Sequence, residues 1–152
     1  MIGAGGHARV LLESLSLCAI TVSGFVAPTS EGSRLSGVPY LGTDAYLESL
    51  DPRTVQLVNG IGSVKAPQAR EKLFTALSSA GFSFVTVVDP RAVVSPSAKI
   101  ADGAQVLVGA IIGVGAEIGA NAIINSGAIV DHDSRVGPHS HISPGAVLAG
   151  DV

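Results

Sequence analysis

The chain has 152 residues, enough for one domain or two small ones with a real core. Charged residues make up 14% and aromatics 4%, and there are 19 glycines and no tryptophan. That balance points to a regular fold of thin layers and excludes a disordered chain. A net charge of -3 gives nucleic acid or an anionic membrane no electrostatic hold on the chain. The mean hydropathy of +0.49 comes from short apolar stretches cut by Gly, Pro and Asp, too short to span a bilayer. The single cysteine, Cys18, cannot pair internally; the expectation is a small buried residue in a protein of the reducing cytosol. "LSLC" at 15–18 has a large Leu17 before the cysteine and Glu13 upstream, so no export signal is expected.

The chain opens with "MIGAGGHARVLLESL", in which Gly3, Gly5 and Ala8 form a G-x-G-x-x-[GA] loop ahead of a helical pattern through Val10, Leu11 and Leu15. Such a loop turns backbone N–H groups and a helix N-terminus toward a phosphate, although a plain tight turn reads the same way. Two features argue against a dinucleotide. Only Met1 and Ile2 precede the loop as a strand, and the second strand, near 20–26, is followed by Ala27 and Pro28 instead of an acid for the ribose. A turn-rich 27–37, a short helix over 44–50, a strand near 54–62, a helix over 66–80 and a strand over 82–88 complete a small βαβ domain with a parallel sheet, residues 1–89. Asp89-Pro90 marks its junction with the next domain.

From Val94 an aliphatic residue returns every six positions: Val94, Ile100, Val106, Ile112, Ile118, Ile124, Val130, Val136, Ile142 and Leu148. Four positions after each stands a small residue, from Ala98 through Ala146, until Val152 breaks the series. A period of six fits neither a helix nor an alternating strand, but it fits a hexapeptide parallel β-helix, in which three hexapeptides make one triangular rung of about 18 residues. Three positions after each aliphatic come Ser97, Gly103, Gly109, Gly115, Asn121, Gly127, Asp133, His139, Gly145 and Asp151. Most of these are residue types that tolerate the positive φ of a tight corner. The β-helix domain is therefore expected over 90–152. Its repeat runs on to the final residue without a capping segment, and the first strand is minimal, so both ends are expected to lack residues, the C-terminal one above all.

This pattern resembles the left-handed β-helix of the hexapeptide-repeat acyltransferases; the handedness is what the resemblance implies. Four segments, "IGAGGHA", "VPYLGTDAYL", "VVDPRAVVSPSAKI" and "IINSGAIVDHDSRVGPHSHISPGAVLAG", together resemble one subgroup. It comprises the bacterial sugar acetyltransferases that modify UDP-4-amino-sugars or sialic acid for surface polysaccharide. The resemblance implies an α/β N-terminal Rossmann-like domain that holds a nucleotide-sugar acceptor. It also implies a β-helix that forms a homotrimer and binds acetyl-CoA between subunits.

His132 follows Val130 by two positions, which turns it outward, with Asp131 and Asp133 on either side. An outward histidine is often only a solvated surface residue, but acyl transfer needs a base, and an imidazole of pKa near 6.5 suits neutral pH. The resemblance assigns the base to His132 and its orienting acid to Asp133, which a corner position alone would also explain. His139 falls on a corner and is read as structural. His141 faces outward nine residues from His132, half a coil away, so the two could meet only between subunits. By resemblance His141 is a second active-site histidine near acceptor and acetyl-CoA, and Asn125 lies near the acceptor. Gly150 lies 18 residues beyond His132 and so one rung above it; the resemblance implies that its backbone N–H meets the thioester carbonyl of acetyl-CoA. Gly3, Gly5, Gly6 and His7 match the family's phosphate-contacting segment, with a simple helix start as the alternative for His7. Cys18 has no histidine partner in the pattern, so direct transfer is expected, not an acyl-enzyme.

Two rival readings belong to other classes. A γ-carbonic-anhydrase-like metal hydratase shares the fold, but it needs three histidines converging on zinc. The spacings of seven and two among His132, His139 and His141 do not fit its pattern, and no metal is expected. A non-catalytic binding or assembly module would keep the fold without the reaction.

Overall fold

The computed structural model describes residues 1–33, 35–63 and 67–152, with Pro67 described by its backbone alone. Arg34 of the expected turn segment and Ala66 of the expected helix start lie outside the described residues. Two compact units share the chain, Met1–Val85 and Thr86–Val152. The boundary falls at Val85/Thr86 instead of Asp89-Pro90, because Val87–Val88 already pairs with Gln105–Val106 as the first side of the coil. Asp89 is fully buried there. Its carboxylate caps the Arg91 amide at 2.9 Å and holds the Arg91 guanidinium through two further bonds of 2.9 Å.

In the first unit, helix α1 (Gly6–Leu17) follows the glycine loop and buries Ala8, Leu11, Ser14 and Leu15, which recur at the three- and four-residue spacing of one helix face. Strand β1 (Phe25–Val26) pairs in parallel with β2 (Tyr40–Gly42), and β3 (Gln56–Leu57) with β4 (Ser83–Phe84). Between the pairs runs Ile2, bridged in parallel to Val26 on one side and Asn59 on the other. The sheet order is therefore β2, β1, Ile2, β3, β4, that of a doubly wound nucleotide-binding fold. The short helix expected over 44–50 is a 3-10 helix, Asp44–Ser49, closed at its start by the Tyr46 amide on the Thr43 carbonyl. Helix α2 (Pro67–Ser79) packs Leu73, Phe74 and Leu77 onto a core of Ile2, Val26, Leu47, Leu57, Phe82 and Phe84. Cys18, expected to be buried, is exposed at the C-cap of α1, because the helix ends there and the chain turns through Ala19 at a φ of 57°.

The second unit is a parallel β-helix of three flat faces. One carries Lys99–Ile100, Glu117–Ile118 and Arg135–Val136; the next carries Val87–Val88, Gln105–Val106, Ile123–Ile124 and His141–Ile142; the third carries Val93–Val94, Ile111–Ile112, Ile129–Val130 and Val147–Leu148. In every pair the second residue points inward and joins one continuous core with the alanines at 104, 110, 116, 122 and 128. Burying each aliphatic chain contributes about 1.5–3 kcal/mol. The corner positions take positive φ from Gly103 to Asp151, including the non-glycine Asn121, Asp133, His139 and Asp151. Ser97 is the exception.

The outward residues distinguish the faces. One presents Lys99, Glu117 and Arg135: Lys99 Nζ donates to Glu117 at 2.8 Å, and Arg135 Nε forms an ion pair with Glu117 at 3.7 Å. Another presents Val93, Ile111, Ile129 and Val147, of which Val93 and Val147 are 63% and 67% exposed. Among the described residues no helix is long and apolar enough to cross a membrane.

Candidate active site

His132 occupies the turn that links the apolar face to the charged one. Its Nδ1 lies 3.1 Å from Asp133 Oδ2, and a carboxylate can only accept, so Nδ1 carries the proton and the Nε2 lone pair is left over. Asp133 stands at a corner with a φ of 59°, so the corner and the partner readings hold together. Gly150 lies on the imidazole. A methyl there would collide with Nε2 and come within 2.5 Å of Cε1 and 2.7 Å of Cδ2, so this position must be glycine for the ring to stand where it does. The Asp151 amide beside it donates to the His132 carbonyl at 2.9 Å. The Asp133 hydrogen bond raises the His132 pKa above the usual imidazole value, reinforced by the charges of Asp131 and Asp151. Asp131 does not touch the ring; its Oδ1 accepts the His132 backbone N–H at 2.7 Å.

The other two histidines of the cluster have different partners. His139, at a corner with a φ of 62°, receives a 2.9 Å bond at Nδ1 from Asn121 Nδ2, the residue at the same corner one rung below. His141 lies on the face of Ile123–Ile124, where its Nε2 is 2.9 Å from Asn125 Nδ2. An amide nitrogen only donates, so His141 Nε2 accepts in this bond. The pairing of Asn125 with His141 is not evident in the sequence; only the rung length combined with a diagonal reach across it could have signalled it. Within one chain the three imidazoles thus face three separate environments.

In the first unit the glycine loop occupies the C-terminal end of Ile2, where the strand order reverses between β1 and β3. In open α/β sheets ligands bind at this switch point. Gly3 takes a φ of 89° and donates its amide to Val26, while Gly60 of the neighbouring loop donates to Ile2, both at 2.8 Å. Gly5 is the N-cap of α1 and has no side chain to cap the first-turn amides. Gly6 begins the helix, and His7 is half-buried beside the Gly62 backbone. Sequence reasoning missed Arg70. It is 1% exposed, and its Nη1 donates to the carbonyls of Asn59 at 3.0 Å and Ile61 at 2.7 Å, bracing the loop opposite Gly3. Burial lowers its pKa to about 10. A readable signal existed, since Arg70 stands three, four and seven residues before Leu73, Phe74 and Leu77, on the apolar face of α2.

A hexapeptide coil with a histidine–aspartate pair on an outward turn, joined to a doubly wound unit with a glycine loop, defines a β-helix acyltransferase. Comparison with known proteins makes this specific. The family model described as the PglD N-terminal domain matches residues 1–77, and that of the bacterial transferase hexapeptide (six repeats) matches 115–150. Perosamine N-acetyltransferase from Caulobacter crescentus, solved as a histidine-to-asparagine variant with CoA and GDP-perosamine, is 41% identical with a TM-score of 0.88 over 98% of this chain and 70% of its own. The acetyltransferase domain of PglB from Neisseria gonorrhoeae is 34% identical with a TM-score of 0.90, over 99% of this chain and 72% of its own. The same domain has been solved with acetyl coenzyme A. No curated protein sequence matches the chain. The chain belongs to the hexapeptide-repeat, left-handed β-helix family of bacterial sugar acetyltransferases.

Proposed function

We propose that the protein transfers the acetyl group of acetyl-CoA to the amino group of a nucleotide-linked sugar, in the cytosol, for surface-glycan biosynthesis. The observation that carries this reading is the His132–Asp133 pair beneath Gly150, with Nδ1 engaged at 3.1 Å and Nε2 left to take a proton. The solved relatives supply the substrates: one is bound to CoA and GDP-perosamine, another to acetyl coenzyme A.

In this mechanism the acceptor amine attacks the thioester carbonyl while His132 Nε2 removes its proton, and Asp133 holds the resulting imidazolium. The Gly150 amide faces the carbonyl oxygen and stabilises the charge that grows on it in the tetrahedral intermediate. The intermediate then collapses, releasing the CoA thiolate and the acetamido sugar. His141, held by Asn125, lines the pocket for acceptor and acetyl-CoA in the neighbouring copy. Gly3, Gly5, Gly6 and His7, in the loop and at the N-terminus of α1, take the diphosphate. The working form is a homotrimer; the exposed apolar row of Val93, Ile111 and Val147 beside the His132 turn supports this as a surface for other copies of the chain. The domain assignment follows: the nucleotide sugar binds the N-terminal unit and acetyl-CoA the β-helix.

Incubating the protein with acetyl-CoA and a panel of UDP- and GDP-linked amino sugars, with free sugars and sialic acid as controls, tests this reading by thiol release. Release with an amino nucleotide sugar, and acetylation at its nitrogen by mass spectrometry, is expected. No release with any member of the panel would favour the non-catalytic module.

A further inference from the structure

Each turn of the coil has one backbone nitrogen that the strand ladder does not use. It belongs to the residue two positions after the inward aliphatic. The residue before it donates across the rungs, as Gly113 does to Val130 and Asp131 to Leu148, and the residue after it does so too, as Asp133 does to Val114. At the position between them stand Pro96, Pro138 and Pro144, which have no N–H at all. In a repeat where proline fits, a non-proline residue at that position brings a donor that the fold itself leaves unsatisfied.

Two turns fill this vacancy with the side chain just before it. Ser126 donates its amide to Asn125 Oδ1 at 2.8 Å, and His132 donates its amide to Asp131 Oδ1 at 2.7 Å. In the first case the bond settles which end of the Asn125 amide faces outward, so that Nδ2 reaches His141. In the second it ties a carboxylate to the backbone of the histidine. Gly113, on the rung below, permits the close approach this needs: a methyl there would lie 2.7 Å from the His132 nitrogen and 2.8 Å from the Asp131 carbonyl carbon.

We propose that Asp131 is a positioning residue for the general base: by taking up the unused His132 amide it sets where the imidazole stands on its turn and keeps a second negative charge beside it. The proposal rests on the reading of His132 as the base. The ionisable groups around the ring are Asp131 and Asp133 on its own turn and Asp151 on the turn above; the turn below, Gly113 to Gly115, has none. Asp133 engages the ring itself, so the two acids do different work. Asp133 fixes which nitrogen is protonated, and Asp131 fixes the main chain from which the ring projects.

Three variants of the full chain separate these effects: Asp131→Asn, which keeps an oxygen for the amide but loses the charge, Asp131→Ala, which loses both, and His132→Ala. Asp131→Ala is expected to lower kcat about tenfold with KM for both substrates unchanged, the scale of a misplaced catalytic group. Asp131→Asn is expected to recover most of kcat while moving the acid limb of the kcat/KM profile to lower pH. The same shift should appear in an NMR titration of the His132 ring, which does not depend on turnover. Wild-type kcat in Asp131→Ala and an unmoved ring titration in Asp131→Asn, with His132→Ala inactive, would overturn the positioning role and leave the base intact. Full turnover by His132→Ala would remove the base reading instead, and the ring titration would still decide whether Asp131 acts on the imidazole.

Discussion

Two faces of the coil have the same backbone, the same hexad period and the same inward aliphatics, yet they end in opposite surfaces. On one, Lys99, Glu117 and Arg135 stand in a column and satisfy one another through Glu117, whose carboxyl is held below its ordinary pKa chiefly by the Lys99 hydrogen bond. On the other, the equivalent residues are Val93, Ile111, Ile129 and Val147, which have nothing polar to offer and leave large apolar side chains in water. Inward residues decide that a coil forms; outward residues decide what each side of it meets. The charged column is complete within one chain, whereas the valine–isoleucine column gains its free energy only by being covered. His132 stands on the turn between them, where a groove between copies would have an apolar wall on one side and carboxylates on the other.

The largest expected effect tests the chemistry at that edge. His132→Ala should lower turnover by ~10²–10⁴-fold while the trimer persists in sedimentation, the range for losing a general base. Retained turnover would mean that the turn only borders the site. Because Asp133 and its neighbours raise the pKa of His132, and the base must be neutral to act, kcat/KM should rise with pH through a value above the ordinary imidazole pKa of about 6.5. The next effect breaks the apolar face itself. Ile111→Asp introduces a charge into the middle of that column, and sedimentation should show monomers with activity reduced to near background. A stable trimer in that variant would move the interface elsewhere on the coil.

These contrasts also separate what was legible in the sequence from what was not. The hexad row, the corner residues and the outward placement of His132 follow from a packing period that every rung repeats, so any one rung predicts the others. One of the two asparagine–histidine bonds does not follow from it. Asn121 reaches His139 straight up a corner column, but Asn125 reaches His141 diagonally, and that reach depends on side-chain torsions which no period sets. In the first unit most elements were found but their ends were not, and the strand Tyr40–Gly42 was missed, since strands of two or three residues have no room for a periodic signal. Residues 82–88 read as one strand because both halves are apolar; the structure divides them between two units. Arg70 was passed over, because a charge on an apolar face shows its purpose only once the carbonyls it serves are placed.

Arg70 gives the intermediate effect. Replacing it with leucine keeps the bulk but leaves the Asn59 and Ile61 carbonyls without their charged donor, a loss of about 3 kcal/mol. Chemical denaturation should show that loss, together with a raised KM for the nucleotide sugar and an unchanged KM for acetyl-CoA. An equal rise in both would mean that the loop it braces does not belong to the acceptor site.

The smallest effect belongs to the charged column, and its smallness is what the comparison requires. Glu117→Gln removes the central acid from a cluster whose side chains are 77%, 40% and 79% exposed, in a solvent that already screens them. If that column is finished within one chain, the variant should unfold at nearly the wild-type temperature, remain trimeric and keep its turnover. Loss of the trimer would show that the ladder reaches a neighbouring copy, and the sharp division between a self-satisfied face and an unsatisfied one would give way to an interface that uses both.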